Sequence, residues 1–344
     1  MAADYTAQAL GSVKTLLGQL ANQERLAEEA RKAKDRPARK QAEDRANGLR
    51  SQLLRQTDAS LVYLYLAASG TASDVGFRSA WQTGALRVDT LAPLRQWGLE
   101  SLYNDFWANP APDLSVLPAY SFSLCFTFTL IRPYLSKDDN VLYIVDNPIA
   151  RDKVFHLPIM RPSSWKGSLR AVLCHLGHCQ DDVLVQRLFG VTRDEDEGQA
   201  GRLVFFPTFF TQTSLEIINP HDRKTKTGKN PILFECVPIG ATGRFTLLYV
   251  PFDLIGADPA VIRPQVGADL ETVAQAVHDL FTVYGFGAKT SSGYGVAEPR
   301  FVRDSGDRGL GWLEIKGVGR ARCGGFEALL HAAQSFRQKL EVLP

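Results

Sequence analysis

At Tyr120 the chain changes character, and that change sets what it can fold into. Residues 121–131 read Ser-Phe-Ser-Leu-Cys-Phe-Thr-Phe-Thr-Leu-Ile. Alternation with a rich supply of aromatics and Thr is the pattern of a strand. What precedes it is helical. Residues 5–21 place Leu10, Val13, Leu16, Leu17 and Leu20 on one side of a helix. Residues 24–55 hold ten Lys/Arg against six Asp/Glu, are divided by Pro37, and offer only Leu26, Ala30 and Ala33 as a thin apolar stripe. That is a solvated helical hairpin or a basic helical face lying along nucleic acid. Residues 59–68 are apolar enough for a buried helix. Residues 77–86 and 91–107 look like further helices, broken around Gly84 and Pro93. Pro110, Pro112 and Pro118 mark a linker, so a helical region over 1–115 is expected ahead of a different domain.

Beyond 120 the order continues with a loop carrying Asp138, Asp139 and Asp146. Then comes Arg161-Pro-Ser-Ser-Trp-Lys-Gly-Ser-Leu-Arg-Ala-Val-Leu. Ser163 or Ser164 is a candidate cap for a helix whose apolar side is Trp165, Leu169, Val172, Leu173 and Leu176. Lys166 and Arg170 share its other face, four residues apart. Leu203-Val-Phe-Phe is a strand. Residues 215–218 and 232–237 are strand-like arms around a polar tip at 219–230, and residues 242–250 form another strand. A helix over 270–284 turns Val273, Val277, Leu280 and Phe281 inward. A strand over 296–302 and a last helix over 325–340 follow. The order fits an α+β, ferredoxin-like (RRM-like) βαββαβ domain over 120–303, with a thumb hairpin inserted at about 212–236 and a C-terminal extension over 304–344. Many functions use such a sheet, so the sites must decide.

Three basic or hydroxyl-rich features lie at loop and helix ends of this domain. One is the start of the helix, with Ser163, Ser164, Lys166 and Arg170; a helix N-terminus with such residues suits a phosphate. Gly167 in its first turn costs about 1 kcal/mol against Ala, which close approach of a partner backbone or close helix–sheet packing would explain. The second is the tip at 219–230, with His221, Arg223, Lys224, Lys226 and Lys229 against Asp222. The third is the stretch 285–295, Gly-Phe-Gly-Ala-Lys-Thr-Ser-Ser-Gly-Tyr-Gly. Gly285 and Gly287 allow close backbone approach, Lys289, Thr290, Ser291 and Ser292 suit phosphate, and Phe286 and Tyr294 either stack on bases or pack under the loop. It is not a nucleotide-triphosphate loop. Ala288 precedes Lys289 and a helix comes before the loop rather than after it. Together the three features suggest a groove that tracks a nucleic-acid backbone.

These residues resemble a known family. Arg161-Pro-Ser-Ser-Trp-Lys-Gly-Ser-Leu-Arg resembles the first-helix signature of the RAMP superfamily, the repeat-associated subunits of CRISPR effector complexes. The 285–295 stretch is similar to that superfamily's C-terminal glycine-rich loop. Tyr143-Ile-Val-Asp-Asn-Pro-Ile-Ala-Arg-Asp is similar to the loop of type III backbone subunits that cleave target RNA. The resemblance implies a catalytic role for Asp146, a dependence on Mg²⁺ or another divalent cation held there, and a hairpin at 219–230 that pushes between guide and target. The implied partners are guide CRISPR RNA, target RNA, other RAMP subunits and the large subunit of a type III complex. A non-catalytic capping or architectural subunit and a guide-processing endoribonuclease acting through His156 or His221 are the alternatives. For Asp146 the residues alone also allow an Asx turn before Pro148.

The remaining features carry less. Net charge is +2, which argues for no partner by itself. Five cysteines, an odd number without scaffold spacing and without a signal peptide, fit a reduced cytoplasmic setting, and no apolar run suits a membrane. Cys174, His175, His178 and Cys179 sit on one helix and cannot all converge on one tetrahedral ion. The acidic run 194–197, with Asp181 and Asp182, reads as a solvated loop.

Overall fold

The computed structural model describes residues 5–56, 88–91, 94–95, 98, 101, 112–138, 147–179, 181–191, 198–219, 231–303 and 311–342. The expected helices over 59–68 and 77–86 and most of 91–107 lie outside these residues, as do Asp146, residues 220–230 of the tip and the acidic run 194–197. The chain divides into two compact units. One comprises residues 1–96, 138–148 and 213–235, and the other the remainder.

In the first unit, α1 (Tyr5–Lys32) and α2 (Arg36–Gln56) form a helical hairpin. The break falls where Lys34 takes φ 57°, and the Asp35 carboxylate accepts from the Ala38 N–H at 3.1 Å to start the second arm. Pro37 sits in that first turn, where its missing N–H costs nothing. Leu17, Leu20, Ala42, Ala46 and Leu53 are buried, and Arg50 reaches Glu24 at 2.6 Å. Around the turn the side chains are solvated, as the thin stripe predicts. The hairpin is longer than the charge pattern suggests, because the apolar helix at the start supplies its first arm. The same unit holds β1 (Val88–Asp89), β6 (Gln212–Ile218) and β7 (Ile232–Cys236), in the order β1-β6-β7. β6 and β7 are strands where strand-like arms were expected on either side of the polar tip. Asn147 is tied to β7, its carbonyl accepting from the Glu235 N–H at 3.0 Å and its side-chain amide donating to the Leu233 carbonyl at 3.2 Å.

The second unit is built on an antiparallel five-stranded sheet, β10-β9-β2-β8-β4. Its strands are β2 (Phe122–Thr129), β4 (Leu203–Phe205), β8 (Thr242–Tyr249), β9 (Gly311–Ile315) and β10 (Gly319–Cys323). A short pair, β3 (Ile159–Met160) with β5 (Thr208–Phe209), stands apart from it. Between strands run α3 (Pro162–His175), α4 (Val183–Phe189), α5 (Pro259–Asp279) and, at the end, α6 (Phe326–Val342). A π-helical turn, Leu280–Tyr284, extends α5.

The strand period places Phe122, Leu124, Phe126 and Phe128 on one face, all buried. They meet Trp165 and Leu169 of α3, Val273 and Val277 of α5, and Phe281. The core is mostly aromatic: Phe126 stacks on Phe301 at 4.5 Å, and Trp165 sits 5.0 Å from Phe245 and 5.3 Å from Phe281. Gly243 allows this density, since a Cβ there would lie 2.7 Å from the Phe128 ring and 2.8 Å from Phe210.

Four expectations need correction. Neither Ser163 nor Ser164 caps α3. Arg161 is the N-cap residue without a side-chain bond, and Pro162 starts the helix with its φ already set. Leu176 is not on the buried side, because the helix ends at His175. Residues 296–302 pass beside β2, with Glu298 N–H donating to the Thr129 carbonyl and Val302 N–H to the Thr127 carbonyl, but make only isolated bridges and no continuous strand. Pro299 removes a ladder donor there. The strand next to β2 is instead β9, so the C-terminal extension supplies two strands of the sheet from residue 311 onward.

Candidate nucleic-acid interface

Two of the three expected features lie within the second unit and share one core contact. Trp165, the fourth residue of α3, is fully buried, and its ring centroid lies 4.7 Å from that of Phe286. The Trp165 indole N–H donates to Thr208 Oγ1 at 3.1 Å, which in turn donates to the Arg244 carbonyl at 2.7 Å. The ring is thus fixed in position as well as buried. Further along α3, His175 stacks on Tyr284 with centroids 4.8 Å apart.

Ser163, Ser164 and Gly167 are exposed at the start of α3, and no acidic residue occupies its first turn. That end therefore presents the positive pole of a helix dipole beside Lys166. Around Gly167, an added Cβ would meet nothing within 4 Å. Close helix–sheet packing does not account for this glycine. Lys166 and Arg170 are half-buried. The Arg170 guanidinium lies 5.9 Å over the Phe189 ring, so part of that side chain serves packing between α3 and α4.

The 285–295 loop closes on itself. Phe286 N–H donates to the Gly295 carbonyl at 3.0 Å, Ala288 N–H to Leu135 at 2.8 Å and Gly295 N–H to Pro133 at 2.9 Å. Gly285, Gly287 and Gly295 have φ of 75°, 90° and 72°. A Cβ at these positions would come within 2.3 Å of the Tyr294 carbonyl oxygen, 2.4 Å of the Leu135 carbonyl oxygen and 1.9 Å of the Phe286 carbonyl oxygen. These three glycines let backbone meet backbone within the protein. Phe286 is fully buried and packs under the loop, which removes it as a platform for bases. Tyr294 is half-buried. The tip is a 3₁₀ turn, Thr290–Ser292, entered through Lys289 in the left-handed region at φ 60°. Lys289, Ser291 and Ser292 are exposed, and Thr290 is half-buried. The loop thus holds a hydroxyl-rich, cationic tip on a rigid base.

The other expected site residues fall elsewhere. Asp146, His221, Arg223, Lys224, Lys226 and Lys229 lie outside the described residues. His156 is exposed at φ 59°, in a turn organised by the Asp152 carboxylate, which accepts from the N–H groups of Val154, Phe155 and Leu157. The four Cys/His residues do not share one helix: Cys174 and His175 end α3, whereas His178 and Cys179 lie past it, and His178 meets Asp182 at 3.1 Å while His175 lies on Tyr284. The Leu184 N–H, and after it His178, hold Asp182 below the usual carboxylate range.

Two groupings escape a sequence reading because their members come from distant elements. One is a buried network. The Asp269 carboxylate accepts from Tyr249 Oη at 2.8 Å, Arg202 Nη1 at 3.1 Å and Arg187 Nε at 2.8 Å. Arg202 also donates to Asp253 at 2.8 Å. Burial, and then the Asp269 charge, push the Tyr249 phenol above its ordinary range. The other is Trp312 with Arg244 and Arg320, whose guanidinium carbons lie 4.7 and 4.6 Å from the indole centroid. The signal available for the second was the alternation Gly-Trp-Leu-Glu-Ile followed by a glycine turn.

The fold and these ends of α3 and α5 define a sheet protein with a basic helix start and a basic glycine loop side by side. Residues 127–298 match the model of the RAMP superfamily. That span is half of the chain, and the chain belongs to the RAMP superfamily. It is 29% identical over 194 residues to the CRISPR system Cms endoribonuclease Csm3 of Enterococcus italicus (strain DSM 15952 / CCUG 50447 / LMG 22039 / TP 1.5), covering 51% of this chain and 85% of that protein. Among solved structures it is similar to a chain of the type III-B Cmr-beta complex bound to cognate target RNA, with 16% identity, a TM-score of 0.44, and coverage of 71% of this chain and 74% of the other. A chain of the apo type III-B Cmr-beta complex matches with 14% identity, a TM-score of 0.37, and coverage of 54% and 99%. Among the described residues, no helix is long and apolar enough to cross a membrane.

Proposed function

We propose that this chain is an RNA-binding subunit of a type III CRISPR surveillance complex, that it holds guide RNA, and that it cleaves complementary target RNA. The observation that carries the reading is the Trp165–Phe286 contact inside the RAMP-matching span. It joins the basic start of α3 to the glycine loop, so Ser163, Ser164 and Lys166 and the 289–292 tip belong to one rigid frame. Gly167, exposed and with nothing near it, leaves room there for a phosphate backbone to come close. We read the strand order β9-β2-β8-β4, with α3 and α5 between strands, as ferredoxin-like. The arms β6 and β7 are the base of the thumb, and partners on this reading are guide RNA, target RNA, other RAMP subunits and the large subunit.

Cleavage is assigned to Asp146. The relative's name supports an endoribonuclease. The Asp146 carboxylate takes the proton of a splayed nucleotide's 2′-hydroxyl. The 2′-oxygen attacks the adjacent phosphorus and the bond to the 5′-oxygen breaks, the departing 5′-oxygen taking a proton from water, which leaves a 2′,3′-cyclic phosphate and a 5′-hydroxyl. A divalent cation such as Mg²⁺ would shield the charge that develops on phosphate. Among the described residues no three His, Cys, Asp or Glu side chains gather to hold one, and Asp146 lies outside those residues.

A second reading, a capping subunit that binds RNA without cutting, is favoured by the helical hairpin α1–α2, which lies outside the RAMP-matching span. One experiment separates the two. Target-RNA cleavage by the co-expressed complex is compared for wild type and Asp146→Ala, with Mg²⁺ and with EDTA. Loss of a cut site with target binding retained is the expected result. Persistence of every cut in the variant would leave the capping role.

A further inference from the structure

The sheet's second face, turned away from α3 and α5, carries a cationic surface that the function above does not use. Its floor is a rung of matched residues: Thr246 opposite Cys125, Cys125 opposite Trp312, and Trp312 opposite Arg322. Cys125 and Thr246 are buried and bonded to each other at 3.5 Å. Above them stand the Trp312 ring and the guanidinium groups of Arg244 and Arg320, which approach it from strands on its two sides. Arg320 and Arg322 are exposed.

Several observations point to the chemistry of an occupant. On this face, β8, β9 and β10 present Arg244, Arg320 and Arg322 against one acid, Glu314, which sits 3.8 Å from Arg320. Burial is the main cause that lowers the proton affinity of Arg244; Cys125 opposes it, and the charge of Arg320 acts with it. Arg320 and Arg322 are two residues apart on one strand, so they project about 6.6 Å apart on the same side. Successive phosphates of an extended nucleic-acid strand repeat at a similar distance. A guanidinium placed over an indole still offers a planar face and a forked edge. The edge suits any oxyanion, but the plane suits a nucleobase and is wasted on a carboxylate.

We propose that this face is a second RNA-contacting surface, which takes an unpaired RNA segment with its phosphates on Arg320 and Arg322 and a base on the guanidinium stacked against Trp312. The proposal rests on the reading of the chain as an RNA-binding subunit, and it places RNA on the side of the sheet opposite the helices. Binding here is sequence-tolerant, because every base offers a π-face.

The test uses the full-length chain and a fluorescein-labelled oligouridine, with anisotropy followed over a series of salt concentrations. The Arg320→Ala/Arg322→Ala double variant is expected to bind at least about fivefold more weakly. Its log–log salt slope should be shallower by about 1.4, the loss of two phosphate contacts on a single strand. Glu314→Gln, which keeps all three arginines, should bind more tightly than wild type. Lys289→Ala reports on the glycine loop separately. If the double variant binds as wild type does while Lys289→Ala weakens binding, this face takes no RNA and the proposal fails alone. If the wild-type chain does not bind RNA at all, the proposal and the reading beneath it fail together. If labelled polyglutamate binds and is lost in the double variant while RNA binding is unchanged, the surface takes an acidic protein and the proposal is overturned.

Discussion

The indole of Trp165 and the ring of Phe286 lie 4.7 Å apart, although 121 positions of sequence separate them. One belongs to the start of a basic helix and the other to the base of a glycine loop. Their contact makes the two candidate RNA-binding ends a single mechanical piece. Removing it should therefore reach both ends at once.

Phe286→Ala opens a cavity among Phe128, Trp165 and Phe281. A loss of about 3–5 kcal/mol of folding stability is expected, as for other buried aromatic truncations. Urea unfolding followed by tryptophan emission measures it. A loss below about 1 kcal/mol, within the range of a surface substitution, would contradict the rigid-frame account.

Gly167→Ala and Gly295→Ala should move stability in opposite directions. At Gly167 the site is open and helical, so Ala should stabilise by up to about 1 kcal/mol. RNA affinity should fall at the same time if a phosphate backbone comes close there. At Gly295 the φ of 72° and a Cβ only 1.9 Å from the Phe286 carbonyl oxygen leave no room. There the variant should unfold more easily by well over about 1 kcal/mol. Thermal unfolding and RNA anisotropy on both proteins decide the matter.

Asp269→Asn removes the charge that Arg187, Arg202 and Tyr249 share. Two guanidinium groups then face a neutral amide in a buried site. The expected cost is about 3–5 kcal/mol. Simultaneous replacement of the polar partners with apolar residues of like volume should cost far less, and a double-mutant cycle with Arg187 gives the coupling.

Tyr134 supplies a pH signature. Its hydroxyl reaches the Ile159 carbonyl at 3.3 Å, and burial pushes its pKa up to about 12. An unfolded tyrosine ionises near about 10. The folded form therefore keeps its proton where the unfolded form loses it, and stability falls as pH rises through that window. The contribution is whole below about pH 10 and is lost as pH climbs towards about 12. Tyr134→Phe should be less stable than wild type at pH 8, and the gap should close in alkali. A constant gap in urea midpoint across that range would count against the assignment.

Much of the fold could be read from the chain. The strand at 122–129 showed itself by alternation, and the helix at 162–175 by its apolar spacing. The β6 and β7 arms stood out because a polar tip divides them. What escaped did so for physical reasons. Pro264 and Gly267 hid the first half of α5, although Asp258 caps it by accepting from the Ala260 N–H at 2.9 Å. β9 and β10 were not picked out within the C-terminal extension, because Arg320 and Arg322 on the solvated side of the sheet dilute the apolar signal of a strand. Of the candidate site, α3 and the glycine loop were visible as motifs, but their union through Trp165 and Phe286 was not, because contact across 121 positions leaves no local trace. Phe286 itself was ambiguous. An aromatic between glycines is equally suited to a base above or a core below, and the core took it.

The two edges of the main sheet are also of different make. At one end β4 is three residues long, and at the other β10 reads Gly-Arg-Ala-Arg-Cys. A short strand and a doubly charged strand are both poor templates for an incoming backbone. Two such sheets brought edge to edge would then meet through side chains rather than fuse into one continuous ribbon.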